Sequence, residues 1–210
     1  MFALTWVFAA AVTAAQALAP SAQPAPPPEE LAAGITAELQ KTGSKIALGD
    51  TTIEIWWAAG VAVTAEGPGW SNIESGTLVG GMRVTGAFKE IRGKVVKPGV
   101  YTLRYGQQPQ NGDHLGISPF REFLLLSPAA VDRDPKVPGF DGAVALAKQT
   151  IGTSHPASLS LDPPEDAPGA PLSTYKNESG HEGVVFEIKQ AGETGATIRF
   201  GLILAGLIVH

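Results

Sequence analysis

A chain of 210 residues, 44% hydrophobic and 17% charged, is long enough to bury a full core as one domain, and this balance excludes a polyelectrolyte or a disordered chain. A formal net charge of −5 without any run of Lys or Arg leaves no electrostatic footprint for nucleic acid or anionic membrane, so neither partner is expected. The absence of cysteine rules out disulfides, thiol nucleophiles and thiolate metal ligands, while 25 Gly and 17 Pro suit many turns between short strands and favour an all-β chain.

Residues 1–19, MFALTWVFAAAVTAAQALA, are apolar and Ala-rich and end in Ala17-Leu18-Ala19, the small-residue pattern of a secretory signal peptide. The segment has no positive n-region, because the first basic residue is Lys41, and Pro20 stands awkwardly after the cut. Cleavage after Ala17 or Ala22, a misassigned start codon, and an N-terminal helix or uncleaved anchor are the alternatives. Residues 20–28 read as a Pro/Ala-rich extended linker, and 29–210 as the folded domain. Leu31, Ile35 and Leu39 recur at helical spacing within 29–41, ahead of Gly43.

From Lys45 the period changes to two. Residues 45–48 and 51–57 flank Gly49-Asp50 as a hairpin, with Ile53, Ile55 and Trp57 on its buried face. A loop at 66–76 carries Trp70, which covers a core edge or offers a ligand platform, and 77–84 resumes as a strand. Lys97-Pro98-Gly99 sets a turn before 100–107, where Tyr101, Leu103 and Tyr105 alternate with Thr102, Arg104 and Gly106. Residues 108–119 hold too many turn formers for regular structure, and Phe123-Leu124-Leu125-Leu126 is apolar on both faces, as a covered strand requires. Beyond a polar loop at 128–139, Asp141 caps a predicted helix over 142–149 that closes near Gly152. A short strand at 158–161, an exposed loop at 162–171 and two alternating strands around 184–189 and 198–204 complete the chain.

These signals predict a single antiparallel β-sandwich, jelly-roll or Ig-like in character, of about eight strands with one or two short helices. No apolar stretch of the mature chain is long enough to span a bilayer.

The chemistry-bearing residues gather in Asn111-Gly112-Asp113-His114, with Arg121-Glu122 after it and Ser154-His155 further on. Asp113, His114, Arg121 and His155 are the candidate ligand-binding residues. A His with a nearby Asp can hold a metal or form a general base with its orienting carboxylate, and His114 and His155 are the metal candidates. The competing reading is turn chemistry at 111–113 with a surface pair at Arg121 and Glu122, and it is favoured because no second His stands at metal-ligand spacing. His181 and His210 complete the four histidines, and they meet the others only through the fold. Asp132-x-Asp134 lacks the calcium-loop pattern and reads as a solvated turn. Nucleophile-elbow, phosphate-loop and dinucleotide signatures are all incomplete. Asn177-Glu178-Ser179 is a formal glycosylation sequon.

KPGVYTLRY (97–105), NGDHLG (111–116), SPFREFLLL (118–126) and SHP (154–156) resemble segments of a group of uncharacterised secreted bacterial proteins. The resemblance implies a small exported β-rich protein, periplasmic or extracellular, and carries no activity, cofactor or catalytic assignment. The favoured function is a non-catalytic binding or structural domain for a protein or small-molecule ligand. The alternative is a metal-dependent or hydrolytic enzyme using the Asp113, His114 and His155 region.

Overall fold

The protein is described here by a computed structural model, which covers residues 17–64, 72–108, 118, 120–152, 155–192 and 195–206. Among these, alternating apolar residues build twelve strands: β1 (Leu18–Gln23), β2 (Gly43–Leu48), β3 (Thr51–Trp57), β4 (Leu78–Thr85), β5 (Phe88–Lys89), β6 (Val95–Val96), β7 (Gly99–Gln107), β8 (Glu122–Pro128), β9 (Ser158–Asp162), β10 (Thr174–Lys176), β11 (Glu182–Lys189) and β12 (Thr197–Ala205). Two helices, α1 (Ala33–Ala37) and α2 (Gly139–Ile151), accompany them. Ten strands form one antiparallel sheet in the order β1-β2-β3-β4-β7-β8-β9-β12-β11-β10, and β5 and β6 make a separate hairpin.

The expected all-β, antiparallel character with two short helices holds. The expected stacking of two sheets does not, because five-residue β9 joins the two halves. It pairs with β8 through Phe123, Leu124 and Leu125, and with β12 through Leu161 and Asp162, so no break divides the sheet. A ten-stranded twisted sheet must curl, and this one curls until β1 approaches β10 and β11, giving a nearly closed barrel. Its neighbours are mostly successive strands, in place of the long crossovers of a jelly roll or Ig fold.

The barrel interior is filled by side chains. Trp57 from β3 meets Phe186 of β11 and Phe200 of β12 edge-on, at ring-centroid distances of 4.9 and 5.2 Å, within a continuous core that includes Leu103, Leu124 and Leu202. Outside, Phe123 and Leu125 pack under Ala143, Val144 and Ala147 of α2, so the FLLL run is covered on both faces as predicted. Helix α2 ends at Gly152, whose φ of 65° is the left-handed cap that glycine adopts without steric cost. The helix predicted over 29–41 shrinks to five residues and keeps only Ile35 of the three spaced apolar residues, yet Leu31, Ile35 and Leu39 are still buried together with Trp56. Leu39 instead bridges Ala58 as extended chain.

The predicted linker is also part of the domain. Pro20, Ser21, Ala22 and Gln23 lie in β1, an edge strand where the missing N–H of Pro20 is tolerated. Ala25 then accepts a 2.9 Å hydrogen bond from Trp56 Nε1, and Pro27 and Pro28 are buried. The loop at 162–171 departs from expectation in the same way, since Ala167 is buried against Tyr175 and Val185. Trp70 lies outside the described residues.

One buried polar assembly fastens the 129–138 loop to the sheet. Arg104, expected on a half-exposed face, is only 1% exposed. It donates from Nε and Nη2 to the two carboxylate oxygens of Asp132 at 2.7 and 2.8 Å, and to the carbonyls of Gly76, Asp134 and Lys136. Thr102 Oγ1 donates to the same carboxylate. Asp132 is therefore the counter-charge of a buried arginine, and the solvated-turn reading of that position is corrected.

Candidate functional site

Gln107 pairs with Glu122 at the end of the β7–β8 ladder, and Gln108 N donates to Arg121 O at 2.9 Å. The 108–121 connection therefore leaves and re-enters the barrel at one rim. Its described flank is held there by polar contacts. Ser118 Oγ lies 3.1 Å from Ser160 Oγ on β9, Phe120 N donates to Ser118 Oγ at 3.1 Å, and Gln108 Nε2 donates to Phe120 O at 3.1 Å.

Asp113 and His114 lie outside the described residues, as does His210. Arg121 is exposed, with Nε 3.6 Å from Glu122 Oε1, in the surface-pair arrangement. His155 is exposed too, at the opposite end of β9. The β8–β9 register sets Phe123 beside Ser160 and Leu125 beside Ser158, with Leu126 N donating to Ala157 O. Extended by that register, Arg121 and His155 stand roughly 20 Å apart at about 3.3 Å per residue. The fold does not bring these two candidates together. Among the described residues no group of three His, Asp or Glu side chains is placed to hold a metal ion.

A different polar cluster sits at the rim, unrecognised in the sequence. Leu159 and Leu161 of β9 face the core, which puts Ser158, Ser160 and Asp162 on the other face, all buried. Asp162 Oδ2 accepts from Tyr175 Oη at 2.8 Å and from Asn177 Nδ2 at 2.9 Å. Asn177 Oδ1 in turn accepts from the backbone N–H of His181 at 2.9 Å, shaping the β10–β11 turn. Tyr175 reaches β9 from the sheet edge because Gly183 and Gly201 leave room for its ring, and a Cβ at either position would strike it. The His181 ring meets Phe120 edge-on at 5.7 Å and abuts Gly206. It is 5% exposed, and its Nδ1 is buried without a hydrogen-bond partner among the described residues.

The signals for this cluster were Asp162 closing an otherwise leucine-and-serine strand, and glycines at 183 and 201 inside strands. Each is common singly, and only the sheet order relates them. Asn177 stands out in the sequence only for its sequon.

Burial raises the Asp162 carboxyl above its ordinary value, and the hydrogen bonds from Tyr175 and Asn177 oppose that rise. Burial also raises the Tyr175 phenol, with the Asp162 charge adding to it, so Tyr175 remains a donor. A carboxyl raised by folding holds its proton more tightly in the folded state. Its stabilising contribution is full below the ordinary Asp value of about 3.9 and is lost as pH rises through the folded value. Asp162→Asn keeps an acceptor for Tyr175 and is expected to remove the part of the stability that falls as pH rises above about 4. Urea unfolding across that range checks it, and an unchanged slope would assign the dependence elsewhere.

The fold and this rim define a mostly β protein, a filled and nearly closed ten-stranded barrel with an Asp-Tyr-Asn-His cluster at one end, of which Asp162, Tyr175 and His181 are buried. Comparison with models of protein families, with curated proteins and with solved structures found no match. Among the described residues no helix is long and apolar enough to cross a membrane.

Proposed function

We propose that this chain is an exported, non-catalytic binding or structural domain, whose contact surface is the rim formed by Gln108, Ser118, Phe120 and Arg121 and the Asn177–His181 turn. The observation that carries this reading is the engagement of the buried charges in holding loops to the barrel. Arg104 with Asp132 fixes the 129–138 loop, and Arg92, which pairs with Glu90 at 3.0 Å and donates to Pro156 O at 3.1 Å, ties the β5–β6 hairpin to the chain before β9. The interior filled by Trp57, Phe186 and Phe200 points to recognition on the surface. The resemblance of the motifs at 97–126 and 154–156 to segments of uncharacterised secreted bacterial proteins is what supports the reading of periplasmic or extracellular residence.

The rival is a metal-dependent or hydrolytic enzyme using Asp113, His114 and His155. The purified chain is expected to give no turnover of chromogenic ester, phosphoester or glycoside substrates above buffer, with or without added zinc or copper. Turnover that vanishes in His155→Ala would replace this proposal with the enzyme.

A further inference from the structure

We infer that the Ala17–Leu18 bond is the processing site of the exported chain, so that the mature protein begins at Leu18; this rests on the export reading above. Three small residues offer a cut: Ala17, within Ala15-Gln16-Ala17; Ala19, within Ala17-Leu18-Ala19; and Ala22. Sequence pattern alone leaves them open, and strand β1 separates them.

All six residues of β1 pair with β2, from Leu18 opposite Leu48 to Gln23 opposite Gly43. Leu18 is 9% exposed and belongs to the barrel core, and Gln23 Nε2 donates to Glu54 Oε1. A cut after Ala19 would remove Leu18 and its partnership with Leu48, and would place a new ammonium on Pro20 inside the ladder. A cut after Ala22 would leave only Gln23 of the strand and bare the edge of β2, an open template for pairing with other chains. A cut after Ala17 keeps the whole strand.

It also places the new terminus well. Ala17 is exposed, and Ala17 and Leu18 line an open cleft of about 330 Å³ with Thr174, Tyr175, Lys176 and Glu182. An α-ammonium emerging there stays hydrated, with Glu182 3.4 Å from Lys176 offsetting that neighbour's charge. The reaction is hydrolysis of one peptide bond. Water adds across it, leaving a carboxylate on Ala17 of the leader and an ammonium on Leu18.

The test is expression of the full chain in a Gram-negative bacterium, followed by fractionation, intact mass and N-terminal sequencing. The expected product is periplasmic or extracellular and starts at Leu18. Ala17→Leu should abolish that terminus and Ala19→Leu should preserve it. An exported product starting at Pro20 or Gln23, or one blocked by Ala19→Leu alone, overturns this assignment and leaves export standing. An intact chain retained in the cytoplasm overturns export and this assignment with it. As a second readout, a chain prepared to start at Pro20 should melt roughly 5–10 °C below one starting at Leu18, from the lost leucine burial and ladder. Equal melting temperatures would also overturn the assignment.

Discussion

Replacing Arg104 by alanine is expected to destabilise the protein by about 3–5 kcal/mol, the usual cost of leaving a buried charge without its partner. The side chain donates to both oxygens of Asp132 and to three backbone carbonyls, and Arg104 and Asp132 are themselves buried. Its removal strands the Asp132 carboxylate and frees the 129–138 loop, which α2 follows. For a chain of this length the loss corresponds to a fall in Tm of roughly 6–20 °C. Asp132→Ala should cost a similar amount, because it leaves the guanidinium unpaired. Arg104→Lys should fall between wild type and Arg104→Ala, since an ammonium keeps the charge and loses the planar fork. The double variant Arg104→Met, Asp132→Leu should be more stable than either single alanine variant, because no buried charge then lacks a partner. Thermal and urea unfolding of the set measures these differences, and a loss below about 1 kcal/mol in Arg104→Ala would mean that water reaches the pair.

Truncating Trp57 should cost a comparable amount for a different reason. The indole stands between β3 and the aromatic rings of β11 and β12, so it packs one half of the curled sheet against the other. Trp57→Ala is expected to lose about 3–5 kcal/mol through lost burial and the cavity left behind. Trp57→Phe should lose far less than its change in volume implies. The indole N–H is buried without a hydrogen-bond partner among the described residues, and phenylalanine removes that unsatisfied donor while keeping an aromatic ring between Phe186 and Phe200. If the Phe variant were as unstable as the Ala variant, the indole N–H would have to be hydrogen-bonded, for instance to a buried water.

Much of the barrel was legible from local pattern. The period-two alternation in 100–107, 184–189 and 198–204, the Gly49-Asp50 turn and the double-sided FLLL run each follow from the chemistry of neighbouring residues, and each stands where expected. Less legible were the positions whose partners are distant in the chain. Arg104 alternates as a polar residue should, yet it is buried because the 129–138 loop folds over it and supplies Asp132. The Pro/Ala segment has the composition of a spacer, yet its first residues complete a strand because β2 presents an unpaired edge. Of the four candidate site residues, Arg121 and His155 stand near opposite ends of β9, and Asp113 and His114 lie outside the described residues.

The sequence by itself determined the β class, the positions of eight of the twelve described strands and the place of 97–126 as a source of two core strands. These rest on side-chain periodicity and turn preference, which act over a few residues. Only the tertiary structure decided that the strands join into one curled, nearly closed sheet, and that Asp162, Tyr175, Asn177 and His181 meet beside Phe120. That meeting depends on β12 lying between β9 and β11, and on two glycines that let a tyrosine ring cross the sheet. Such contacts join residues through the order of hydrogen-bonded strands, which no local pattern encodes.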